Sequence, residues 1–317
     1  MNQSAKKDTT FQLLEDDGKN ISAFERHIIK TCKAPEWELR KWLKKTLTRA
    51  GFTILEDQYK TDRVNRDKRY SSVHNMLAIR GENPRVCLVA HTDICRDHSS
   101  SISEFNTHWM RNEKEEKKED SKKKPFLKEV FPVVKLCETN DGVRRIITDR
   151  DNKYQVGGDD RLGVAINTWI ALNTGYDMGL FFPTDEEIGL KSSRVCEIQE
   201  LKLFDLCMQT DRGNHSNQLV TKIHNEILCS YDTAVRLLDI CYRIGFPRTP
   251  INGGSTDIYA IKQRNMCKEA INCTIGYHNS ISDQADEYID TVEAYEAMQF
   301  ASEVVKDYYL EDTSIAQ

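Results

Sequence analysis

The stretch that decides the fold is RVCLVAHTDIC, residues 85–95, where a short apolar run leads directly into a histidine and an aspartate. The run from Val86 to Ala90 has the length and composition of a buried strand. His91 and Asp93 stand where that strand would end. The pair is either part of a site at a strand end or a strand terminus whose histidine is an ordinary, partly buried side chain.

Similar apolar runs recur along the chain and alternate with helical patterns. The further runs are 178–182, 204–208 and 270–275. Apolar residues at helical spacing cover Trp37 to Leu47, and further helices are predicted at 162–172, 230–244, 257–264 and 291–308. This alternation predicts an α/β fold, a mixed, mostly parallel twisted sheet sandwiched between helices.

The 317 residues are predicted to form one domain, 1–317, with residues 94–150 as a loop and hairpin insertion. Within the insertion, NEKEEKKEDSKKK at 112–124 is almost entirely charged and predicts a disordered loop. Two short strands around Asn140 to Gly142 then predict a hairpin.

Composition excludes several classes of protein. The net charge is −5, and Lys and Arg are scattered among Asp and Glu, so we expect no nucleic-acid partner. No apolar stretch approaches the roughly 20 residues of a bilayer span, and the first residues lack the apolar core of a signal peptide. Ten cysteines spread through apolar runs indicate reduced, buried thiols. We therefore predict a cytoplasmic protein with no membrane partner.

Histidines and carboxylates follow the apolar runs. They are His91 and Asp93, Asp185 to Glu187, Asp211, and His278, with Asp159 and Asp160 before a predicted helix. Ligands of α/β sheets gather beyond the carboxyl ends of the strands, so these groups are expected to converge. A nitrogen and oxygen donor set of this kind suits zinc, with manganese or cobalt as substitutes. One divalent cation, or two, would also relieve the repulsion between the carboxylates.

The motifs AHTD, GGDDRLG, PTDEEIG, TDRG and GGSTD stand in the order and approximate spacing of a known group. Over roughly residues 30 to 305 the chain resembles the co-catalytic zinc peptidases of the M20, M28 and M42 kind. The resemblance implies a zinc-exopeptidase-like fold and a metal-dependent hydrolase of peptide or amide bonds, an aminopeptidase or a di- or tripeptidase. Asp211 and Gly253 are too close in sequence for the lid domain of the dimeric members. The implied form is a single catalytic domain, a monomer or a dimer without the lid.

The resemblance also implies roles for individual residues. The ligands of two divalent cations, zinc in the first place, would be His91, Asp159, Glu187, Asp211 and His278. Asp159 would bridge the cations, and Asp93 would hold the far nitrogen of the His91 imidazole. Glu186 would be the general base. Gly253, Gly254 and Arg212 would bind substrate, and Asp257 would cap a helix.

Several alternatives stay open. Ile281 stands where this group has a histidine, so either His278 replaces it or the second metal lacks a ligand. Asp159 and Asp160 are also typical of a helix cap. Residues 185–187 are also compatible with a solvated loop, and Arg212 with a surface ion pair. The substrate is a short peptide or an N-acyl amino acid. The alternative functions are a deacylase or amidohydrolase of N-acylated amino acids and a catalytically inactive binding relative.

Overall fold

A computed structural model of the protein describes residues 11–13, 20–59, 73–94, 134–148, 155–214, 217–279 and 287–315. The helices in these ranges are α1 (Ala23–Lys33), α2 (Glu36–Arg49), α3 (Gly158–Asn173), α4 (Tyr231–Arg243), α5 (Asp257–Gln263) and α6 (Thr291–Ile315). The strands are β1 (Phe11–Leu13), β2 (Thr53–Glu56), β3 (Met76–Arg80), β4 (Val86–Val89), β5 (Val134–Thr139), β6 (Arg144–Thr148), β7 (Met178–Phe182), β8 (Leu206–Arg212), β9 (Gln218–Ile223), β10 (Glu226–Ile227), β11 (Thr249–Gly253), β12 (Glu269–Thr274), β13 (Tyr277–His278) and β14 (Tyr288–Asp290). The charged stretch 112–124 lies outside the described residues.

The main sheet has the strand order β10-β9-β12-β8-β4-β7-β3-β2, with β11 paired to β9. Its centre is parallel, because β4 pairs in parallel with both β7 and β8, and β8 with β12. Its flanks are antiparallel, at β7 with β3 and at β12 with β9. The predicted α/β class, a mixed sheet between helices, is confirmed.

Both faces of the central strands are covered. Every residue of β4 and of β7 is buried, which is the pattern of a strand with helices on both sides. Because side chains alternate along a strand, Leu88 packs into one apolar cluster and Val89 into another on the opposite face. The first cluster includes Leu39 of α2 and Ile166 of α3, and the second includes Ile258 of α5.

A second, antiparallel sheet has the order β1-β5-β6-β14-β13. The hairpin predicted around Asn140 to Gly142 is confirmed as its β5–β6 pair. Strand β14 pairs with β6, and β13 pairs with β14. This sheet therefore brings residues 277–278 and 287–290, late in the chain, against the hairpin.

Two expectations from composition can be compared with the described ranges. No helix in them combines the length and the apolar character needed to cross a bilayer. The cysteines in them are all buried, and none forms a disulfide bond. Burial raises the pKa of Cys196 and of Cys241 to about 12, so these thiols are uncharged near neutral pH.

Gly179 of β7 provides a test of the packing. A Cβ at this position would lie 2.3 Å from Cζ of Phe204, whose side chain is fully buried and cannot move aside. We expect Gly179→Ala to lower the free energy of unfolding by about 1–3 kcal/mol, measured by urea denaturation. At Gly175 a Cβ would meet no atom within 4 Å. Gly175→Ala is the control, and equal losses in the two variants would contradict this packing.

Candidate metal centre

The parallel centre of the main sheet aligns the ends of three strands. Strand β4 lies between β7 and β8, and the three run in the same direction. His91 and Asp93 follow β4, Glu186 and Glu187 follow β7, and Asp211 stands near the end of β8. The side chains that the sequence predicts to converge therefore emerge at one edge of the sheet.

Carboxylates surround Nε2 of His91. It lies 3.1 Å from Oδ1 of Asp159, 3.6 Å from Oδ1 of Asp211 and 4.0 Å from Oε2 of Glu186. The His91 side chain has no exposed surface. A buried nitrogen therefore faces acidic groups from three separate segments of the chain.

The other ring nitrogen fixes the tautomer of the neutral His91 ring. Nδ1 lies 2.9 Å from the main-chain oxygen of Asp93. A carbonyl oxygen can only accept, so Nδ1 carries the hydrogen and donates it. The lone pair is then on Nε2, directed at the carboxylates, which is the arrangement of a metal-binding imidazole.

Two groups of side chains bring their ligand atoms within 4.8 Å of one another. The first is His91, Asp159 and Glu187, and the second is His91, Asp160 and Asp211. One imidazole with several carboxylates fits a divalent cation of the zinc or manganese kind. Asp160 was given no ligand role by the sequence, and here its carboxylate is completely buried beside Asp211 and His91.

The charges of the site show why a cation suits it. Burial and the neighbouring carboxylates raise the pKa of Glu186 to about 10, and burial with repulsion from Asp159 raises the pKa of Asp211 to about 6. Burial would lower the pKa of His91, but hydrogen bonds with Asp159, Asp211 and Asp93 outweigh it and the pKa is raised well above its ordinary value. The site thus favours positive charge at its centre.

Asp93 contacts the Glu186–Glu187 loop as well as His91, which alone was predicted. Its Oδ1 lies 3.5 Å from Nδ1 of His91, while the main-chain oxygen is nearer. Its two carboxylate oxygens accept hydrogen bonds from the backbone N–H groups of Glu186, at 3.2 Å, and of Glu187, at 3.3 Å. Asp93 therefore orients the loop that carries both glutamates.

The Asp159–Asp160 pair combines the two roles that the sequence left open. The two residues are joined by a cis peptide bond, and neither has helical backbone angles. Asp160 accepts hydrogen bonds from the backbone N–H groups of His91, at 3.1 Å, and Gly163, at 3.2 Å, as a capping residue does. Asp159 instead faces the imidazole.

Glu287 holds this loop from the second sheet. Its carboxylate accepts hydrogen bonds from the backbone N–H groups of Gly157, at 2.9 Å, and Asp159, at 3.3 Å. The side chain of Tyr277 fills the space beside two glycines of the motifs, since an added Cβ would lie 2.4 Å from Tyr277 Cβ at Gly158 and 2.1 Å from Tyr277 Cε2 at Gly213. These glycines are required by close packing against Tyr277.

A buried network behind the strand ends was not found from the sequence. Oε1 of Glu36 accepts hydrogen bonds from the hydroxyls of Thr92 and Thr184, each at 2.7 Å. Nη1 of Arg40 donates to the Thr92 hydroxyl, also at 2.7 Å. The signal available was a glutamate and an arginine four residues apart on α2, among the buried leucines 39 and 43.

The GGSTD motif supports Asp211. Thr256 donates its hydroxyl hydrogen bond to Oδ2 of Asp211 at 2.8 Å, and Gln209 donates to the same oxygen at 2.9 Å. The predicted capping role of Asp257 is wrong, because Thr256 occupies the cap position and the Asp257 carboxylate accepts from Ser193 and Gln209 instead. A buried carboxylate finds partners in the interior that sequence spacing does not reveal.

The remaining predicted residues belong to neither ligand group. Nε2 of His278 contacts Oε2 of Glu293 at 3.0 Å, and its ring stacks on Tyr288. His278 is in neither ligand group, and its role as a metal ligand stays a prediction. Ile281 lies outside the described residues.

The predicted substrate residues lie near the ends of β8 and β11. Arg212 Nε donates to Gln218 Oε1 at 2.8 Å, and no ion pair joins it to any described residue. Gly253 ends β11 with its Cα close to Val220, and Gly254 has open space where a Cβ would be. Their roles in substrate binding stay predictions.

Comparisons with known proteins identify the fold. No family model matches the sequence, and no curated protein matches it significantly. The structure is similar to that of the aminopeptidase PepT from Bacillus cereus, with a TM-score of 0.61, 10% identity, and coverage of 89% of this chain and 97% of that one. A tripeptidase from Staphylococcus aureus gives a TM-score of 0.59, 11% identity, and coverage of 89% and 97%. A glutaminyl cyclase from Porphyromonas gingivalis gives 0.52, 13%, and coverage of 92% and 96%. At these identities the similarity establishes the fold alone.

Asp159 provides the test of the ligand groups. We expect Asp159→Asn to weaken zinc binding by more than the roughly 10–100-fold that loss of an outer-shell partner costs, because a charged ligand atom beside His91 Nε2 is removed. Titration calorimetry with zinc chloride on chelator-treated protein measures this. Asp232→Asn, on an exposed carboxylate of α4, is the control and should bind as the unaltered protein does. Equal affinities in the two variants would exclude Asp159 as a ligand.

Asp257 predicts a pH dependence of the metal-free protein. Burial raises its pKa from 3.8 to about 7. The folded state then holds this proton more tightly than the unfolded state, so the contribution of Asp257 to stability is present at low pH and is lost as pH rises from about 4 through 7. Asp257→Asn removes that loss. We expect the free energy of unfolding of the unaltered protein, relative to Asp257→Asn, to fall across this range. A difference that rises with pH would contradict the burial of an uncharged carboxyl.

Proposed function

We propose that this protein is a metal-dependent hydrolase of peptide or related amide bonds, an exopeptidase of the co-catalytic zinc peptidase type. One observation carries the proposal. Two groups of three side chains share His91, and within each group the ligand atoms lie within 4.8 Å of one another, where the ends of parallel strands meet the start of α3. The motif order and the fold shared with aminopeptidases support the same conclusion.

The proposed cofactors are two divalent cations, with zinc as the first choice and manganese or cobalt as substitutes. His91, Asp159, Glu187 and Asp211 would hold them, with Asp160 as an additional carboxylate in the second group. His278 stays the proposed fifth ligand, although its contact with Glu293 would have to change. When bound, such cations polarise a scissile carbonyl and lower the pKa of a water molecule.

Glu186, Glu187 and Asp93 then have separate proposed roles. Glu186, whose carboxylate lies 4.0 Å from His91 Nε2, takes the proton from the attacking water and passes it to the leaving amine. The backbone N–H groups of Glu186 and Glu187 donate to the Asp93 carboxylate. These two bonds hold the loop so that Glu186 acts as the base and Glu187 as the metal ligand. Asp93 is thereby a positioning residue for both.

The proposed substrates are short peptides. We propose a single catalytic domain without a lid, a monomer or a dimer, acting in the cytoplasm with neither nucleic-acid nor membrane partners. The insertion 94–150 contributes the β5–β6 hairpin to the second sheet, which carries Tyr277 and Glu287 to the site.

A deacylase of N-acylated amino acids is the second candidate. The fold is shared with a glutaminyl cyclase as well as with peptidases, so it is not restricted to peptidases. A shared fold does not select the reaction. The same site chemistry serves any amide carbonyl that reaches the ligand groups, so the choice between the two depends on substrate.

Glu186 provides the test of the reaction. We expect zinc-loaded protein to release p-nitroaniline from leucine p-nitroanilide and to lose this activity with a chelator. Glu186→Gln should lower kcat by about 10²–10⁴-fold, because it removes the general base. Zinc stoichiometry should be unchanged in that variant, since Glu186 belongs to neither ligand group. Glu200→Gln, on an exposed side chain, is the control.

Other outcomes discriminate the alternatives. Hydrolysis of N-acetyl-leucine without peptide hydrolysis would favour the deacylase. Zinc binding with neither activity would favour the catalytically inactive binding relative. Full activity of Glu186→Gln would exclude Glu186 as the base.

A further inference from the structure

Two surface grooves share lining residues with the segments that follow Glu187 and precede Thr256. The first has a volume of about 580 Å³ and is lined by Tyr59, Ile188, Gly189, Lys191, Arg194 and Val195. The second has a volume of about 520 Å³ and is lined by Arg194, His224, Ser255, Tyr259, Ala260, Gln263 and Arg264. Arg194 belongs to both and therefore stands where the two grooves meet.

The lining of the two grooves has a charge opposite to that of the ligand groups. Their lining residues include the cations Lys191, Arg194 and Arg264, and within the described residues no Asp or Glu lines either groove. The chain as a whole has a net charge of −5, and the adjacent ligand groups are rich in carboxylates. A cationic groove in such surroundings favours an anionic ligand.

Arg194 is the cation with its charge available. Its side chain is exposed, and within the described residues its guanidinium makes no hydrogen bond or ion pair. Arg264 by contrast donates to the main-chain oxygen of Cys196, and Arg212 donates to Gln218. A guanidinium that none of the described residues binds, at the junction of two grooves, can form paired hydrogen bonds with a carboxylate.

Hydrogen bonds join the segment next to Arg194 to the ligand groups. The hydroxyl of its neighbour Ser193 donates to Asp257. Gln209 donates both to Asp257, at 3.3 Å, and to Asp211, at 2.9 Å. A continuous buried chain of contacts therefore links the backbone beside Arg194 to a proposed metal ligand.

The grooves themselves also touch the ligand loops. Ile188 and Gly189 directly follow Glu187 in the first groove. Ser255 in the second groove precedes Thr256, which donates to Asp211, and accepts or donates a hydrogen bond at 3.1 Å with His224. Each groove is therefore lined by at least one residue that is adjacent in sequence to a proposed ligand or to a residue bonded to one.

We propose that Arg194 is a specificity residue that binds a carboxylate group of the peptide substrate. The inference rests on the proposed function, because it places the scissile bond at the ligand groups. The carboxylate has two sources in a short peptide, an acidic side chain and the C-terminus. Both offer the same planar, bidentate acceptor.

Four dipeptide substrates separate the two sources. The preference for Glu-Ala amide over Gln-Ala amide reports binding of an acidic side chain. The preference for Leu-Ala over Leu-Ala amide reports binding of the C-terminal carboxylate. We expect the zinc-loaded protein to prefer the charged member of at least one pair. Arg194→Gln should reduce that preference about threefold to tenfold, through KM and with kcat unchanged, as expected for a partly exposed charged contact.

Matched variants exclude a merely structural effect. Arg194→Lys should retain part of the preference, since it keeps the charge and loses the bidentate geometry. Arg49→Gln, on an exposed arginine at the end of α2 that lines neither groove, is the control and should behave as the unaltered protein does. If Arg194→Gln prefers the charged member of each pair to within twofold of the unaltered protein's preference, the inference is overturned.

Failure of the proposed function is recognised separately. If the unaltered protein cleaves none of the four dipeptides, titration calorimetry of the same dipeptides with the zinc-loaded protein replaces the kinetics. A preference for the charged dipeptide that Arg194→Gln abolishes supports the carboxylate site without hydrolysis. Equal affinities of the unaltered protein and Arg194→Gln for every dipeptide overturn it.

Discussion

A fully buried imidazole nitrogen facing several carboxylates is the interaction on which the rest of the site depends. The Nδ1–H of His91 is bound to a main-chain oxygen, which leaves Nε2 directed at Asp159 and Asp211. Two like charges about 4 Å apart at an effective dielectric constant of about 20 repel by about 4 kcal/mol. A few such pairs equal the whole stability of an ordinary domain, about 5–15 kcal/mol. The cluster therefore requires positive charge, from protons or from metal ions, and its raised pKa values express that requirement.

The fold supplies the rigidity that such a cluster needs. Three adjacent parallel strands and the start of α3 carry its members, and side chains from distant segments hold their loops in place. Glu36 binds the threonines of two strand ends, Asp93 binds the glutamate loop, and Glu287 binds the loop of Asp159. Each of these contacts uses a buried carboxylate as an acceptor for N–H or O–H groups. The carboxylates outside the ligand groups thus support those within them.

Architecture and reaction are separate questions in this protein. The fold is shared with an aminopeptidase, a tripeptidase and a glutaminyl cyclase, at identities between 10% and 13%. Function must therefore be argued from side chains. The ligand groups carry the proposed activation of a water molecule, and the cationic grooves carry the proposed contact with a substrate carboxylate.

The sequence by itself determined the strands and helices of the centre and the order of the acidic motifs. The run Met178–Phe182 is a strand with the same bounds in the structure, and the hairpin around Asn140 to Gly142 is present. These features depend on local periodicity and turn residues, which a sequence displays directly. Only the tertiary structure decided that Asp159 faces His91 while Asp160 caps the helix, that Glu36 is buried under two strand ends, and that His278 contacts Glu293. Contacts of this kind join residues far apart in the chain, and the spacing within any one segment does not encode their direction.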